Sequence, residues 1–362
     1  MTKRIYLKRG LCACIAGVLL LAAGCKQPVG DHGGNAVPPD GKENGQNGST
    51  ETGQNGGKEN GQNSNTGTGQ NGNTENGQNG GKETVHEFFS VDELKNFLAD
   101  LPVNTADAPY QIKIGNVDLS SKETSGETLR SLYNVLDRYV TLDLSGCTGA
   151  SLVSASTLPT LVNRKNIVSM TLPGSVIEIE NSGFSGYSAL ISVSMPKVTK
   201  LGYAAFKDCG KLKFVSAPEL TTLTAASAGA SAAFGGCSSL MNVYFPKAER
   251  IGAYSFYDCD GLVSVDLPVA KYVENMAFKR CDNLETVKLP LVTEIGNEAF
   301  NEDTALRRLT FGAEPPALGS KPFATDMPSE GIYVPAGAVA KYEATSLANW
   351  SKALKGKVTA IK

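Results

Sequence analysis

The 362-residue chain holds two histidines, His32 and His86, and eight cysteines, the residue types from which nucleophilic or metal chemistry is usually built. A Ser-His or Cys-His couple needs an imidazole beside its nucleophile, and no histidine follows His86. Gly229-Ala-Ser231-Ala-Ala233 lacks the closing glycine of a nucleophile elbow. Gly81-Lys82 precedes Glu83 where a phosphate loop carries Ser or Thr, and no strand pattern leads into it. The later cysteines lack zinc-site spacing, and calcium loops of the EF-hand or nonapeptide kind are absent. Acidic residues are plentiful, yet spacing singles out no pair as acid and base. The expectation is a chain with no catalytic residue, no metal and no cofactor, and not an enzyme.

Cys12 and Cys14 fall in an N-terminal apolar run, leaving Cys25 and then Cys147, Cys209, Cys237, Cys259 and Cys281. Those last five are an odd number, so a complete set of intrachain disulfides is excluded. Cys209, Cys237, Cys259 and Cys281 share one position of a repeat. In stacked coils they would lie about 5 Å apart, near enough for bridges in an oxidising compartment. The leading reading is a buried free thiol serving as a small apolar filler.

The repeat that positions them is marked by Phe184, Phe206, Phe234, Phe256, Phe278 and Phe300, at steps of 22, 28, 22, 22 and 22 residues. Leu190, Leu212, Leu240, Leu262, Leu284 and Leu306 keep the same register. A fixed period in the twenties signals stacked coils, each too small to bury its own apolar face. One unit reads Leu262-Val-Ser-Val265-Asp-Leu267-Pro268, then Val273, then Ala277-Phe278-Lys-Arg-Cys281. Its first part suits a short strand entering the core, closed by proline. Its Ala-Phe-x-x-Cys part is the return arm, and the phenylalanines stack in one column as a spine.

Leu201-Gly-x-x-Ala205-Phe206-x-x-Cys209, Ile251-Gly-x-x-Ser255-Phe256-x-x-Cys259 and Ile295-Gly-x-x-Ala299-Phe300 resemble the BspA-like, treponemal type of leucine-rich repeat. The resemblance covers about Ile167 to Phe311 and implies an α+β solenoid of units of about 22 residues. Tyr187 and Asp303 stand where the pattern has cysteine, and about six extra residues, Thr224 to Gly229, lengthen the third unit. That insertion is read as a tolerated bulge in preference to a contact loop.

Lys3, Arg4, Lys8 and Arg9 precede an apolar run from Leu11 to Ala23, the order of a secretory signal and too short for a comfortable membrane span. Leu21-Ala22-Ala23-Gly24-Cys25 resembles a bacterial lipobox, which implies cleavage before Cys25 and lipid on its sulfur; ordinary secretion with Cys25 incidental is the alternative. Cleavage takes the 34 basic residues to 30 against 36 acidic, a net of −6, with no basic surplus to argue for nucleic acid. From Lys26 to Thr84 the chain is Gly, Asn, Gln and other polar residues, with Gly-Gln-Asn at 45, 53, 61, 69 and 77. Such composition does not offset ordering entropy, so this is a disordered tether, roughly 40–45 Å end to end.

Ser90-Val-Asp-Glu93 is a capping box before a helical stripe of Leu94, Phe97 and Leu98. Tyr110 to Val117 reads as a strand, Leu129 to Leu136 as a helix and Tyr139 to Leu144 as a strand, together a small α+β N-terminal cap. Val140-Thr-Leu-Asp-Leu-Ser-Gly-Cys147 resembles the opening piece of the repeat family. At the other end Ile332 to Pro335 reads as a strand and Ala336 to Leu347 as a helix, with Trp350 packing this strand-helix C-terminal cap.

The exposed positions of the repeat strands are the candidate binding surface: Ser169 and Thr171, Ser192 and Ser194, Phe214 and Ser216, Asn242 and Tyr244, Ser264 and Asp266, Thr286 and Lys288, Arg308 and Thr310. On one concave side they form a hydroxyl-rich sheet with an aromatic spot at Phe214/Tyr244 and a charged corner at Asp266, Lys288 and Arg308. The domain order expected is signal peptide 1–24, lipidated Cys25 and tether 25–84, N-terminal cap 85–166, repeats 167–311 and C-terminal cap 312–362. The function expected is that of a lipid-anchored, monomeric envelope protein displayed on the outer surface, binding protein ligands. The resemblance implies adhesion to host or neighbouring-cell proteins; a periplasmic scaffold for envelope proteins is the alternative.

Overall fold

The computed structural model describes residues 84–119, 127–149, 152–153, 162–224, 232–324 and 328–361, all within one compact unit, Gly77–Lys362. The signal segment, Cys25, the Gly/Asn/Gln-rich run and nearly all of the insertion near Thr224 lie outside these residues. The order of elements is β1 (Val85–Phe88), α1 (Val91–Ala99), β2 (Tyr110–Asp118), α2 (Glu127–Val135), β3 (Val140–Thr148) and β4 (Leu152–Val153). Longer and two-residue strands then alternate through the repeats: β5 (Ile167–Thr171), β6 (Glu178–Ile179), β7 (Ser192–Ser194), β8 (Lys200–Leu201), β9 (Phe214–Ser216), β10 (Thr222–Leu223), β11 (Asn242–Tyr244) and β12 (Arg250–Ile251). The series continues with β13 (Ser264–Asp266), β14 (Tyr272–Val273), β15 (Thr286–Leu289), β16 (Glu294–Ile295), β17 (Arg308–Phe311), β18 (Ala317–Leu318) and β19 (Gly331–Val334). The chain closes with α3 (Val339–Ala344), α4 (Lys352–Lys355) and β20 (Val358–Ala360).

Each coil gives a longer strand to a front sheet and a two-residue strand to a back sheet, then returns through turns. In the unit quoted above, Leu262, Val265 and Leu267 are buried while Ser264 and Asp266 between them keep partial exposure. Period-two alternation therefore sends one side of the strand into the core and leaves the other wet. The described strands pair in parallel throughout, and Ser264 sits opposite Thr286 one coil on. The return arm bends through left-handed residues on both sides of its phenylalanine, for example Met276 (φ 55°) and Arg280 (φ 64°) around Phe278.

The spine read from the sequence is present. Successive rings from Phe184 to Phe300 lie 5.0–5.3 Å apart with planes within 14° of parallel, and Phe323 continues the column at 5.9 Å. Beside it runs the cysteine column, and here the structure adds a role to packing. Each buried thiol donates to the phenylalanine carbonyl of an earlier coil: Cys209 to Phe184 at 3.1 Å, Cys237 to Phe206 at 3.2 Å, Cys259 to Phe234 at 3.1 Å and Cys281 to Phe256 at 3.2 Å. All five described cysteines are free.

At the N-terminus the capping box forms: Ser90 Oγ accepts the Glu93 amide at 3.2 Å and Glu93 Oε2 accepts the Phe89 amide at 3.0 Å. Strand β1, which the sequence reading did not anticipate, pairs parallel with β2. Strands β1 to β3 extend the front sheet directly, so the cap covers the first coil by continuing its ladder. At the C-terminus the helix expected over Ala336–Leu347 is shorter: a 3-10 turn at Ala336–Ala338 leads into α3, which ends at Ala344. Strand β20, also not anticipated, pairs with β19. Trp350 packs edge-on against Tyr342 at 5.3 Å and donates its indole N–H to the Pro316 carbonyl at 2.8 Å, a structural role as expected. Among the described residues no helix is long and apolar enough to cross a membrane.

Candidate functional site

The pleat places all seven pairs of candidate surface residues on one side of the front strands. Ser169, Ser192 and Phe214 align in one column and Thr171, Ser194 and Ser216 in the next. After β9 the ladder stops, and two columns resume as Asn242, Ser264, Thr286 and Arg308 beside Tyr244, Asp266, Lys288 and Thr310. The front of the repeat is thus two parallel sheets, with β9 and β11 as facing edges. Under these columns the central residues Met170, Val193, Val243, Val265, Val287 and Leu309 are buried; Val215 alone is half-buried.

Six of the twelve polar side chains that flank these strands, Tyr244 aside, pair with one another. The Ser169 and Ser192 hydroxyls bond at 2.5 Å, and Ser264 donates to Asn242 Oδ1 at 2.7 Å. Lys288 reaches Asp266 at 3.4 Å, an exposed pair of small energetic weight. Arg308 does not project freely: its guanidinium lies over the Tyr333 ring, 3.8 Å from the centroid. Tyr333 was missed in the sequence because its place on the face follows only from the pairing of β19 with β17.

The two aromatics are the large exposed side chains of this face. Phe214 is 46% exposed and Tyr244 61%, on opposite sides of the break and in different columns. The single aromatic spot expected from the sequence is therefore a pair of separate rings flanking an opening; among the described residues no ring contact joins them. Next to the opening, Lys247 bonds Glu219 at 2.5 Å, and that bond holds the Glu219 carboxyl below its usual range.

The other surfaces carry charge that is largely spent internally. On the back sheet Lys200 pairs with Glu178 at 2.6 Å, and Arg250 pairs with Glu274 at 2.7 Å while covering the Tyr272 ring at 4.2 Å. On the return arms Lys279 bridges Glu298 and Glu302 at 2.7 and 3.0 Å, and its hydrogen bond to Glu298 leads the upward shift of its own pKa. Among the described residues no group of three or more His, Cys, Asp or Glu side chains is placed to hold a metal ion.

Residues 160–228 and 230–329 match the family model described as BspA type Leucine rich repeat region, in six copies. This region is a BspA-type leucine-rich repeat. The solved T. pallidum leucine-rich repeat protein is 29% identical, with 44% of this chain and 74% of that one covered and a TM-score of 0.38. A leucine rich cell surface protein from Faecalibacterium prausnitzii A2-165 is 19% identical, covering 62% of this chain and 65% of that one, TM-score 0.30. A leucine-rich repeat protein from Bacteroides ovatus ATCC 8483 is 18% identical, covering 72% and 91%, TM-score 0.30. No curated protein sequence matches the chain. In these BspA-type repeats the recurring columns of Phe, Leu and Cys build the interior, while the front-strand flanks vary from Ser and Thr to Phe, Tyr, Lys and Arg. The interior columns fix the coil, and the flanks are free to differ from coil to coil.

Proposed function

We propose that the chain is a lipid-anchored envelope protein whose front repeat sheet binds a protein ligand at the outer surface. The observation that carries this reading is the exposure of Phe214 and Tyr244 on the facing edges of the two front sheets, on a face whose charged groups Asp266, Lys288 and Arg308 are each engaged with a neighbour. Exposed aromatics on a rigid parallel sheet supply large contact area at little ordering cost, the property of binding hot spots. The rest follows the order read in the sequence: signal 1–24, acylated Cys25, tether 25–84, cap 85–166, repeats 167–311 and cap 312–362. The net charge of −6 after cleavage favours protein over nucleic acid as partner.

Two experiments test the reading. Protease added to intact cells is expected to release the 85–362 domain, seen by immunoblot. Protection until the envelope is permeabilised would instead place the domain on the periplasmic side, serving other envelope proteins. A panel of purified matrix and cell-surface proteins is then probed with the parent chain and the Phe214→Ala/Tyr244→Ala double variant. Binding retained in full by the folded double variant removes the front sheet as the binding face.

A further inference from the structure

The ladder of the front sheet is interrupted once, between β9 and β11. At the other repeat junctions the residue before the strand donates its N–H to a carbonyl one coil back: Lys213 to Ile191 at 2.8 Å, Val263 to Met241 at 2.8 Å, Glu285 to Val263 at 2.9 Å, Arg307 to Glu285 at 3.0 Å. The bond that would continue this series, from the Met241 amide to the Lys213 carbonyl, is not made. At the far end of the strands Met195 donates to the Ser216 carbonyl at 2.8 Å and Leu267 to Lys288 at 3.1 Å. The Ala217-to-Tyr244 bond is missing, as is the Phe245-to-Asp266 bond at the paired β11–β13 junction, so the break is marked by the Met241 amide and the lost pairing of β9 with β11.

The opening is local to the front. Across the same junction Phe206 and Phe234 stay stacked at 5.3 Å, Cys237 still reaches the Phe206 carbonyl at 3.2 Å, and β10 pairs with β12 in register. The break falls at the one 28-residue step of the repeat. It uncovers Val215, whose counterparts Val193 and Val243 are 3% exposed.

Strand alternation fixes what lines the two walls. Phe214 donates back to Ile191 at 3.2 Å and the Ser216 carbonyl accepts from Met195, so the intervening Val215 N–H and C=O turn toward β11. On the other wall Ser264 donates to Met241 one coil back, and the equivalent amide in β11, that of Asn242, therefore faces β9. Among the described residues these donors and acceptors have no partner, and two such rows at strand spacing are complementary to one kind of molecule, an extended polypeptide main chain. The side chains around them, Phe214, Ser216, Asn242 and Tyr244, carry no charge, and Glu219 and Lys247 nearby are engaged with each other.

We propose that the opening between β9 and β11 is a strand-addition site, which takes an uncharged extended segment of a protein partner between its two edges. The proposal rests on the front sheet being the binding face and names how the ligand is held there. Main-chain pairing supplies the affinity, and the Phe214 and Tyr244 rings select apolar side chains at alternate positions of the incoming segment.

The test uses the purified full chain and a displayed library of eight-residue segments alternating Val, Ile or Thr with Ser or Asn. Selected peptides are resynthesised with every second amide N-methylated, which keeps side chains and removes donors. Binding is followed by fluorescence anisotropy and by amide hydrogen exchange. The expected result is at least a tenfold loss on N-methylation and new protection of the Val215, Asn242 and Tyr244 amides in the unmodified complex. Failure to select any peptide overturns the proposal. So does selection of peptides that bind the N-methylated and parent forms within twofold. If such peptides still need Phe214 and Tyr244, strand addition falls while the front face stands as a binding surface; if a partner binds the double alanine variant unchanged, the face itself falls.

Discussion

Asp303 occupies the place that cysteine holds in earlier coils, and its Oδ1 accepts the backbone N–H of Cys281 at 2.8 Å. The side chain is fully buried and its Oδ2 has no partner among the described residues. Burial drives its pKa well above the usual carboxyl range, with Asp282 and Glu302 adding to the rise and the Cys281 amide opposing it. The folded chain therefore keeps Asp303 as the neutral acid, whereas the unfolded chain ionises it above about pH 4.

The sign of the pH dependence follows. Between the unfolded and folded pKa the native state holds the extra proton, so the Asp303 contribution is whole below about pH 4 and is lost as pH rises through the folded value. Asp303→Cys removes that slope and restores the thiol of the column. Urea unfolding of parent and variant is expected to show a gap that widens from pH 4 to pH 8, reaching about 1–3 kcal/mol in favour of the variant. A gap that narrows with pH would mean Asp303 is charged in the fold.

The thiols of the same column, and Cys147 in the cap, should be chemically silent while the chain is folded. Burial pushes Cys147 up to about 11 and Cys209 up to about 12, and Cys237, Cys259 and Cys281 rise for the same reason. The thiolate is the reactive form, so iodoacetamide at pH 8 is expected to leave all five unmodified and to label all five in denaturant, as read by mass spectrometry. Replacing one, Cys259→Ala, loses a packed sulfur and the bond to the Phe234 carbonyl, at a cost of about 1–3 kcal/mol.

Two glycines separate close coil packing from open space. A Cβ on Gly296 would lie 2.6 Å from the backbone nitrogen of Asn275 in the preceding coil, a contact that only backbone movement relieves. Gly296→Ala is expected to cost about 1–3 kcal/mol in thermal or urea unfolding. A Cβ on Gly337 meets nothing within 4 Å, and Gly337→Ala is expected to be neutral or to stabilise by up to about 1 kcal/mol. Equal losses from both would show that the coil spacing is looser than the structure gives.

The repeating interior was legible because a residue repeated every coil declares its own register: Phe206, Phe256 and Phe278 read as a spine and are one. So did the Ser90–Glu93 box, since cap chemistry is local to four residues. Strands β1 and β20 were not legible, being four and three residues long and held by pairing with a neighbour rather than by their own pattern. The Ala336–Leu347 helix was overread: Gly337 and the Thr345–Ser346 pair are weak helix formers, and the helix runs only from Val339 to Ala344, with Thr345 turning extended at ψ 137°. The insertion near Thr224 was visible as a longer step, but a one-dimensional count does not say that the front ladder stops between β9 and β11. Arg308 was read as part of a charged corner with Asp266 and Lys288, and its stacking on Tyr333 was not legible because that ring enters the face only through the ladder.

The front-face variants are informative only if they leave the fold alone, and the exposure of the two rings argues that they do. Phe214 and Tyr244 keep about half or more of their surface in water, so truncation removes little buried area; each alanine variant should unfold within about 0.5 kcal/mol of the parent. Phe256, fully buried between Phe234 at 5.2 Å and Phe278 at 5.0 Å, is the contrast, and Phe256→Ala should cost about 3–5 kcal/mol. Urea midpoints of the three single variants check this ordering. A loss at Phe214 or Tyr244 that approaches the loss at Phe256 would mean that the ring holds the edge of the break together, and binding data from that variant would then report on folding rather than on contact.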